Sequence, residues 1–228
     1  MNTENLTSGN TTECVILLHG LGRLRQSMRR LEQHLKGLGY TTINLAYPST
    51  TKSIETIAET HLARAVESCE AGDAVKIHFV GHSLGGIIVR QYLQRNSVPS
   101  GSRLVMLSPP NQGSELVDLL LHVPVYEWIT GPAGQEIGRG PEAVVHFLKP
   151  VEIEVGVIAG NRSINPLFSA FLEGADDGMV SVKSTMLSEM SDFIMVPSTH
   201  TFIMRSPEVM RQVAHFLKHG KFDRTRTE

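Results

Sequence analysis

Apolar positions along this chain recur with two different periods, and the periods alternate. Residues 14–18 form a short unbroken apolar run that His19 and Gly20 stop. A run this short, rich in branched side chains, predicts a strand buried on both faces. Met28, Leu31, Leu35 and Leu38 then repeat at three- and four-residue spacing, a helical stripe that Gly39 ends. Residues 42–46 alternate as a second strand before Tyr47-Pro48-Ser49 breaks it. Ile54, Ile57, Ala58, His61, Leu62, Ala65 and Val66 trace a second helical stripe. Strands are predicted over 75–80, 104–107, 153–159 and 193–196, and helices over 85–95 and 207–218, the last with Pro207 in its first turn.

This alternation predicts an α/β fold: roughly six strands in a mostly parallel, doubly wound sheet with helices on both faces. The 228 residues suit one such domain, expected over 14–220. Residues 111–150 break the rhythm. They are longer than an ordinary crossover and carry Leu116, Val117, Leu120, Tyr126, Trp128 and Ile129 ahead of a Gly- and Pro-rich stretch. They are expected to form a cap inserted over the sheet edge. Residues 1–13 read as a polar, disordered leader and 221–228 as a charged tail.

Composition narrows the function classes. A net charge of -2 gives no global drive toward nucleic acid or an anionic membrane. No apolar run is long enough to predict a transmembrane helix. The first thirteen residues hold no apolar signal core, so the chain as given is expected in the cytoplasm. Asn5 and Asn10 fit the glycosylation pattern, which polar segments often match by chance. Cys14 and Cys69 are expected to be buried free thiols, and neither has a partner at metal-ligand spacing. No metal or cofactor is expected.

The candidate chemistry centres on Gly81-His82-Ser83-Leu84-Gly85, which fits G-x-S-x-G. Such a turn needs little side-chain bulk where a strand meets a helix, and it lifts the serine oxygen clear of the sheet. Here an apolar strand runs in and a helical run leaves. The new helix would aim its N-terminal dipole at developing negative charge. His19-Gly20-Leu21-Gly22 leaves the end of the first strand, where open α/β sheets place ligands.

These runs resemble the α/β-hydrolase superfamily in its lipase and esterase branch. The resemblance covers nearly the whole chain after the leader. It implies an α/β-hydrolase fold with a cap insertion, and a serine hydrolase acting on ester bonds. Ser83 would be the nucleophile, and the backbone N–H groups of Leu21 and Leu84 the oxyanion hole. The order nucleophile, acid, histidine places the base late in the chain. His200 sits in a loop between the last strand and the last helix; His215 and His219 are rivals inside that helix and beyond it. Asp176 and Asp177 are adjacent candidates for the acid, and the Asp-Gly-x-Val pattern of the family falls on Asp177. Ser108-Pro109-Pro110-Asn111-Gln112-Gly113-Ser114 resembles a turn that lipases carry at the same place, with no catalytic role implied. The apolar cap and a second patch around Phe168 either line an acyl pocket or merely pack on the sheet, with Trp128 and Phe168 as the aromatic candidates. Arg23, Arg25, Arg29 and Arg30 either meet an anionic substrate group or form a solvated helix face.

The expected substrate is a small-molecule or lipid ester, cleaved through an acyl-enzyme on Ser83. An acyltransferase or thioesterase would use the same three residues. A non-catalytic ligand-binding protein on a hydrolase scaffold is the reading from another class.

Overall fold

The structure is a computed structural model describing residues 12–120, 124–164 and 166–225, apart from the side chains of 124–129. Six strands form one sheet: β1 (Glu13–Leu18), β2 (Thr41–Leu45), β3 (Lys76–His82), β4 (Arg103–Leu107), β5 (Glu154–Gly160) and β6 (Asp192–Val196). Their spatial order is β2-β1-β3-β4-β5-β6, and every pair is parallel. The α/β architecture expected from the sequence is therefore present, with each strand within two residues of its predicted ends. Parallel strands need a crossover between them, and the intervening segments supply it. These carry α1 (Arg29–Gly37), α2 (Ile54–Ile57), α3 (Ala63–Glu70), α4 (Leu84–Tyr92), α5 (Glu115–Leu120), α6 (Pro124–Gln135), α7 (Pro166–Ser169) and α8 (Val182–Thr185), and α9 (Pro207–His219) follows the last strand. A single π turn over Ala58–Leu62 joins α2 to α3. Among the described residues, no helix is long and apolar enough to cross a membrane.

Both sheet faces are covered, as a parallel sheet requires. The period of two along β1 divides its side chains between them. Cys14, Ile16 and Leu18 join the core under α2, α3 and α4. Val15 and Leu17 join the core under α1 and α9. Ser53 caps α2 by accepting from the Thr56 N–H, and Ser206 caps α9 by accepting from the Val209 N–H, with Pro207 at its first position.

The 111–150 segment packs on the first of these cores. Val117, Ala133, Ile137 and Val145 are buried within it. Glu136 ties the segment down by accepting from the Ile54 N–H at 2.7 Å, which spans 82 positions of chain. Residues 121–123 lie outside the described residues, as does the side chain of Trp128.

Two features differ from the sequence expectation. Cys14 and Cys69 are not free thiols: they form a disulfide with their Cα atoms 5.9 Å apart. β1 and α3 are 55 positions apart in sequence, and only the packing of α3 on the sheet brings the two sulfurs together. Packing also extends past residue 220. Phe222 is buried against Phe216, and Arg224 pairs with Asp192. The expected leader falls largely outside the described residues, although Glu13 opens β1.

Candidate active site

The site lies at the carboxyl ends of the strands, where loops after β1, β3, β4 and β6 converge. β3 enters a turn at Ser83, whose backbone stands at φ 52 and ψ -122. That left-handed conformation is costly for a residue with a side chain and persists only where its surroundings enforce it. The enforcement is steric. A Cβ at Gly81 would stand 2.4 Å from the Gly86 nitrogen, and one at Gly85 would stand 2.6 Å from the Leu18 carbonyl oxygen. Strand, turn and helix therefore pack closer than any side chain at those positions allows. Leu84 opens α4, so its N–H has no acceptor within the helix and lies beside Ser83 at the positive end of the dipole.

The loop after β1 is braced from beneath. Ser49 Oγ accepts from the Gly22 N–H at 3.0 Å. The Tyr47 hydroxyl donates to the His19 carbonyl, and the two rings stack with centroids 4.0 Å apart. These contacts fix the backbone on both sides of Leu21, which lines a cavity together with Ser83 and His200.

His200 and Asp177 meet on the other wall. The His200 Nδ1 donates to the Asp177 Oδ2 at 2.8 Å, and the His200 N–H donates to the Asp177 carbonyl at 2.9 Å. The second carboxylate oxygen of Asp177 accepts from the Met179 and Val180 N–H groups at 3.0 and 2.9 Å. Burial pushes the Asp177 carboxyl up, but His200, Ser108 and the Val180 N–H outweigh it, and the net effect holds it below the ordinary value. Asp176 faces a different task. Its carboxylate accepts from the Gly178 N–H at 2.7 Å and from the Ser169 hydroxyl at 2.9 Å, which closes the turn.

Two further residues support the Asp177–His200 pair, Ser108 with no signal of that role in the sequence. Ser108 stands at φ 46 directly after β4. Its hydroxyl donates to Asp177 and accepts from the Gly160 N–H at 3.1 Å. His82 lies between the walls. Its Nε2 donates to the His200 carbonyl at 3.0 Å, and its Nδ1 is buried without a partner. Burial, then the charges of His200 and Arg23, hold His82 well below the usual histidine range, so it stays neutral.

The cavity over Ser83 measures about 180 Å³. A second lobe of about 260 Å³ shares Leu21, Ser114, Val117 and Met179 with it and reaches Leu116, Leu120 and Thr130 of the 111–150 segment. The structure thus brings Ser83, Leu21 and His200 to one cavity, with Asp177 directly behind His200. It does not bring Phe168 there. That half-buried side chain on α7 is not among the cavity residues, whose apolar wall is formed by Val117, Ile137, Met179 and Val180 instead. The His215 and His219 rings lie tilted against each other with centroids 4.5 Å apart, at the opposite end of the sheet.

An all-parallel six-stranded sheet, with a serine at a strand-to-helix turn sharing a cavity with a histidine from the loop after the last strand, defines an α/β protein of the hydrolase type. The chain belongs to the alpha/beta hydrolase family, whose profile matches residues 15–216. The fold is similar to that of mature Bacillus licheniformis lipase BlEst2, with a TM-score of 0.74 and 18% identity over 92% of this chain and 93% of that one. It is also similar to phospholipase PlaB from Legionella pneumophila in complex with thio-NAD, with a TM-score of 0.69 and 19% identity over 90% and 56%. A third similar fold is the Pyrococcus furiosus esterase PF2001, with a TM-score of 0.64 and 17% identity over 92% and 82%. No curated protein matches the sequence.

Proposed function

We propose that this chain is a serine hydrolase that cleaves carboxylic esters through an acyl-enzyme on Ser83. The observation that carries the reading is that Ser83, held at positive φ, opens on the same cavity as His200, which is hydrogen-bonded to the buried Asp177. His200 takes the Ser83 proton as the oxygen attacks an ester carbonyl, and the N–H groups of Leu21 and Leu84 hold the oxyanion. Asp177 keeps the His200 Nδ1 protonated and stabilises the imidazolium. His200 then protonates the departing alcohol and activates the water that releases the acyl group. Ser108 and His82 act as positioning residues, one on each partner of the Asp–His pair.

Lipases and an esterase among the similar folds support ester chemistry. The two lobes of about 180 and 260 Å³ together fall at the lower end of small-ligand pockets, roughly 300–1,000 Å³. This supports short and medium acyl chains over long ones. The Cys14–Cys69 disulfide supports a working compartment more oxidising than the cytoplasm.

A fluorophosphonate probe tests the reading. The native chain should be labelled and Ser83→Ala should not. Failure to label the native chain, or equal labelling of Ser83→Ala, would overturn it. Turnover of nitrophenyl acyl esters should fall as the chain lengthens beyond what the apolar lobe holds.

A further inference from the structure

The cavity has two chemically different ends. Toward the cap it is apolar, walled by Val117, Leu116, Leu120 and Met179. Toward the loop of His200 it meets Arg23 and Thr201, which line the lobe over Ser83 and are absent from the cap lobe. Among the described residues, no carboxylate pairs with Arg23 or with Arg205, and no Asp or Glu lines either lobe. The segment that follows Arg23 meets the segment that ends in Arg205. The turn Arg25–Met28 packs on the turn Ile203–Arg205. The Arg205 guanidinium lies over the Phe202 ring, 5.8 Å from its centroid. Burial, then the Arg205 charge, pulls Arg23 below the ordinary arginine value.

Arg23 is half-buried without a counter-charge, and the like charge of the exposed Arg205 acts on it, so it loses hydration and is repelled. An anion held at Arg23 would offset both costs, and a guanidinium suits carboxylate or phosphate oxygens in a paired geometry. The direction follows from the chemistry. His200 must protonate the leaving alcohol, so the alcohol half lies on the side of His200 and the acyl half toward the cap. We propose that Arg23, backed by Arg205, binds an anionic group on the alcohol half of the substrate, so that the natural substrate is an acyl ester of a carboxylate- or phosphate-bearing alcohol. This rests on the serine-hydrolase reading above.

The test compares kcat/KM for the butyrate esters of 4-hydroxybenzoate, which is anionic, and of methyl 4-hydroxybenzoate, which is neutral. Arg23→Gln should lower the value for the anionic ester at least tenfold more than for the neutral one. Arg205→Gln should do so by a smaller factor, and Arg23→Lys should keep most of the preference. The native preference should also shrink as ionic strength rises from about 0.02 M to about 0.5 M, where the screening length falls from about 20 Å to about 4 Å. A second pair, butyryl glycerol phosphate and butyryl glycerol, assigns the anion: phosphate if this pair loses more in Arg23→Gln, carboxylate if the first does. Equal losses for the charged and neutral members of both pairs would make Arg23 a support of the reaction or the loop and overturn the proposal. So would an unchanged preference. Cleavage of no ester by the native chain would overturn the hydrolase reading and this one with it.

Discussion

The two ends of the sheet carry very different openings. At the amino ends of the strands, a cleft of about 860 Å³ runs between Tyr40, His34 and the last turns of α9. At the carboxyl ends, the lobe over Ser83 is about 180 Å³. The larger opening holds more charge, but most of that charge is paired. Arg211 pairs with Glu208 and Asp223, Lys76 pairs with Glu13, and the His215 Nδ1 donates to the Lys221 carbonyl at 2.8 Å. The smaller opening holds a serine at positive φ, a histidine oriented by a buried carboxylate, and, among the described residues, an arginine with no carboxylate partner, Arg23. Groups held in costly arrangements with chemistry unspent distinguish a site from a surface cleft, and volume does not. It follows that changes at the carboxyl end should remove turnover and leave stability nearly intact, while changes at the amino end should do the reverse.

The largest expected effect separates two adjacent carboxylates. Asp177→Asn keeps the shape but loses the charge that fixes the His200 tautomer, and turnover should fall about 10³- to 10⁴-fold. Asp176→Asn can keep its two accepted hydrogen bonds. Its stability cost should be no more than about 1 kcal/mol, with turnover within a fewfold of native. Steady-state rates with a nitrophenyl ester check both. Comparable losses in the two variants would show that the turn, and not Asp177 alone, supplies the function.

The disulfide tests the opposite half of the comparison. Cys14 and Cys69 lie toward the amino ends of the strands, and their bond closes a loop of 55 positions. On the loop-closure account, a bridge of this span is worth about 4 kcal/mol. The double variant Cys14→Ala/Cys69→Ala should therefore melt roughly 10 °C lower, and native chain in reductant should approach it. Below that melting point its kcat/KM should match the native value. A melting point that neither reductant nor the double variant moves would mean the bridge does not form in solution.

What was legible in the sequence divides along a physical line. The six strands were readable because β1, β3 and β5 are buried on both faces and so are continuous apolar runs. The helices were readable because α1 and α9 bury one stripe each. Ser83 stood out because its turn requires glycine at fixed offsets. His200 and Asp177 followed from chain order and a family pattern. Contacts made only through space left no local signal. Nothing in the composition around Cys14 and Cys69 marks them as partners. Ser108 looks like any turn serine until Asp177 arrives from the crossover after β5. Arg23 was indistinguishable from Arg25, Arg29 and Arg30 until the loop after β1 turned it alone into the cavity. Phe168 has the aromatic bulk of a pocket residue, but it is not among the residues of the lobe that Val117 and Met179 wall.

The smallest effect is also the one that assigns a titration to one end. His78 lies at the amino end of the sheet, on β3, with its ring fully buried. Its Nδ1 accepts from the Arg103 N–H at 3.0 Å, so its single proton sits on Nε2, facing Glu13 at 3.2 Å. Protonating Nδ1 would break the bond to Arg103. Burial, with Lys76 and Arg103 adding to it and Glu13 opposing, lowers its pKa to about 4 from 6.5. The sign then follows. The stabilising contribution is fully present above pH 6.5. As pH falls, the unfolded chain takes up a proton that the native chain refuses, so stability is lost down to about pH 4. Between pH 7 and pH 5 this one histidine should cost about 2 kcal/mol. His82, lowered in the same direction at the other end, adds a loss of the same sign, so His78→Asn should reduce the pH dependence without abolishing it. Urea unfolding at the two pH values, with kcat/KM at pH 7 alongside, separates the ends. A shallower stability slope with native turnover places His78 in the scaffold. An unchanged slope would assign the acid sensitivity to the histidines around Ser83, and the division of labour between the two ends of the sheet would not hold.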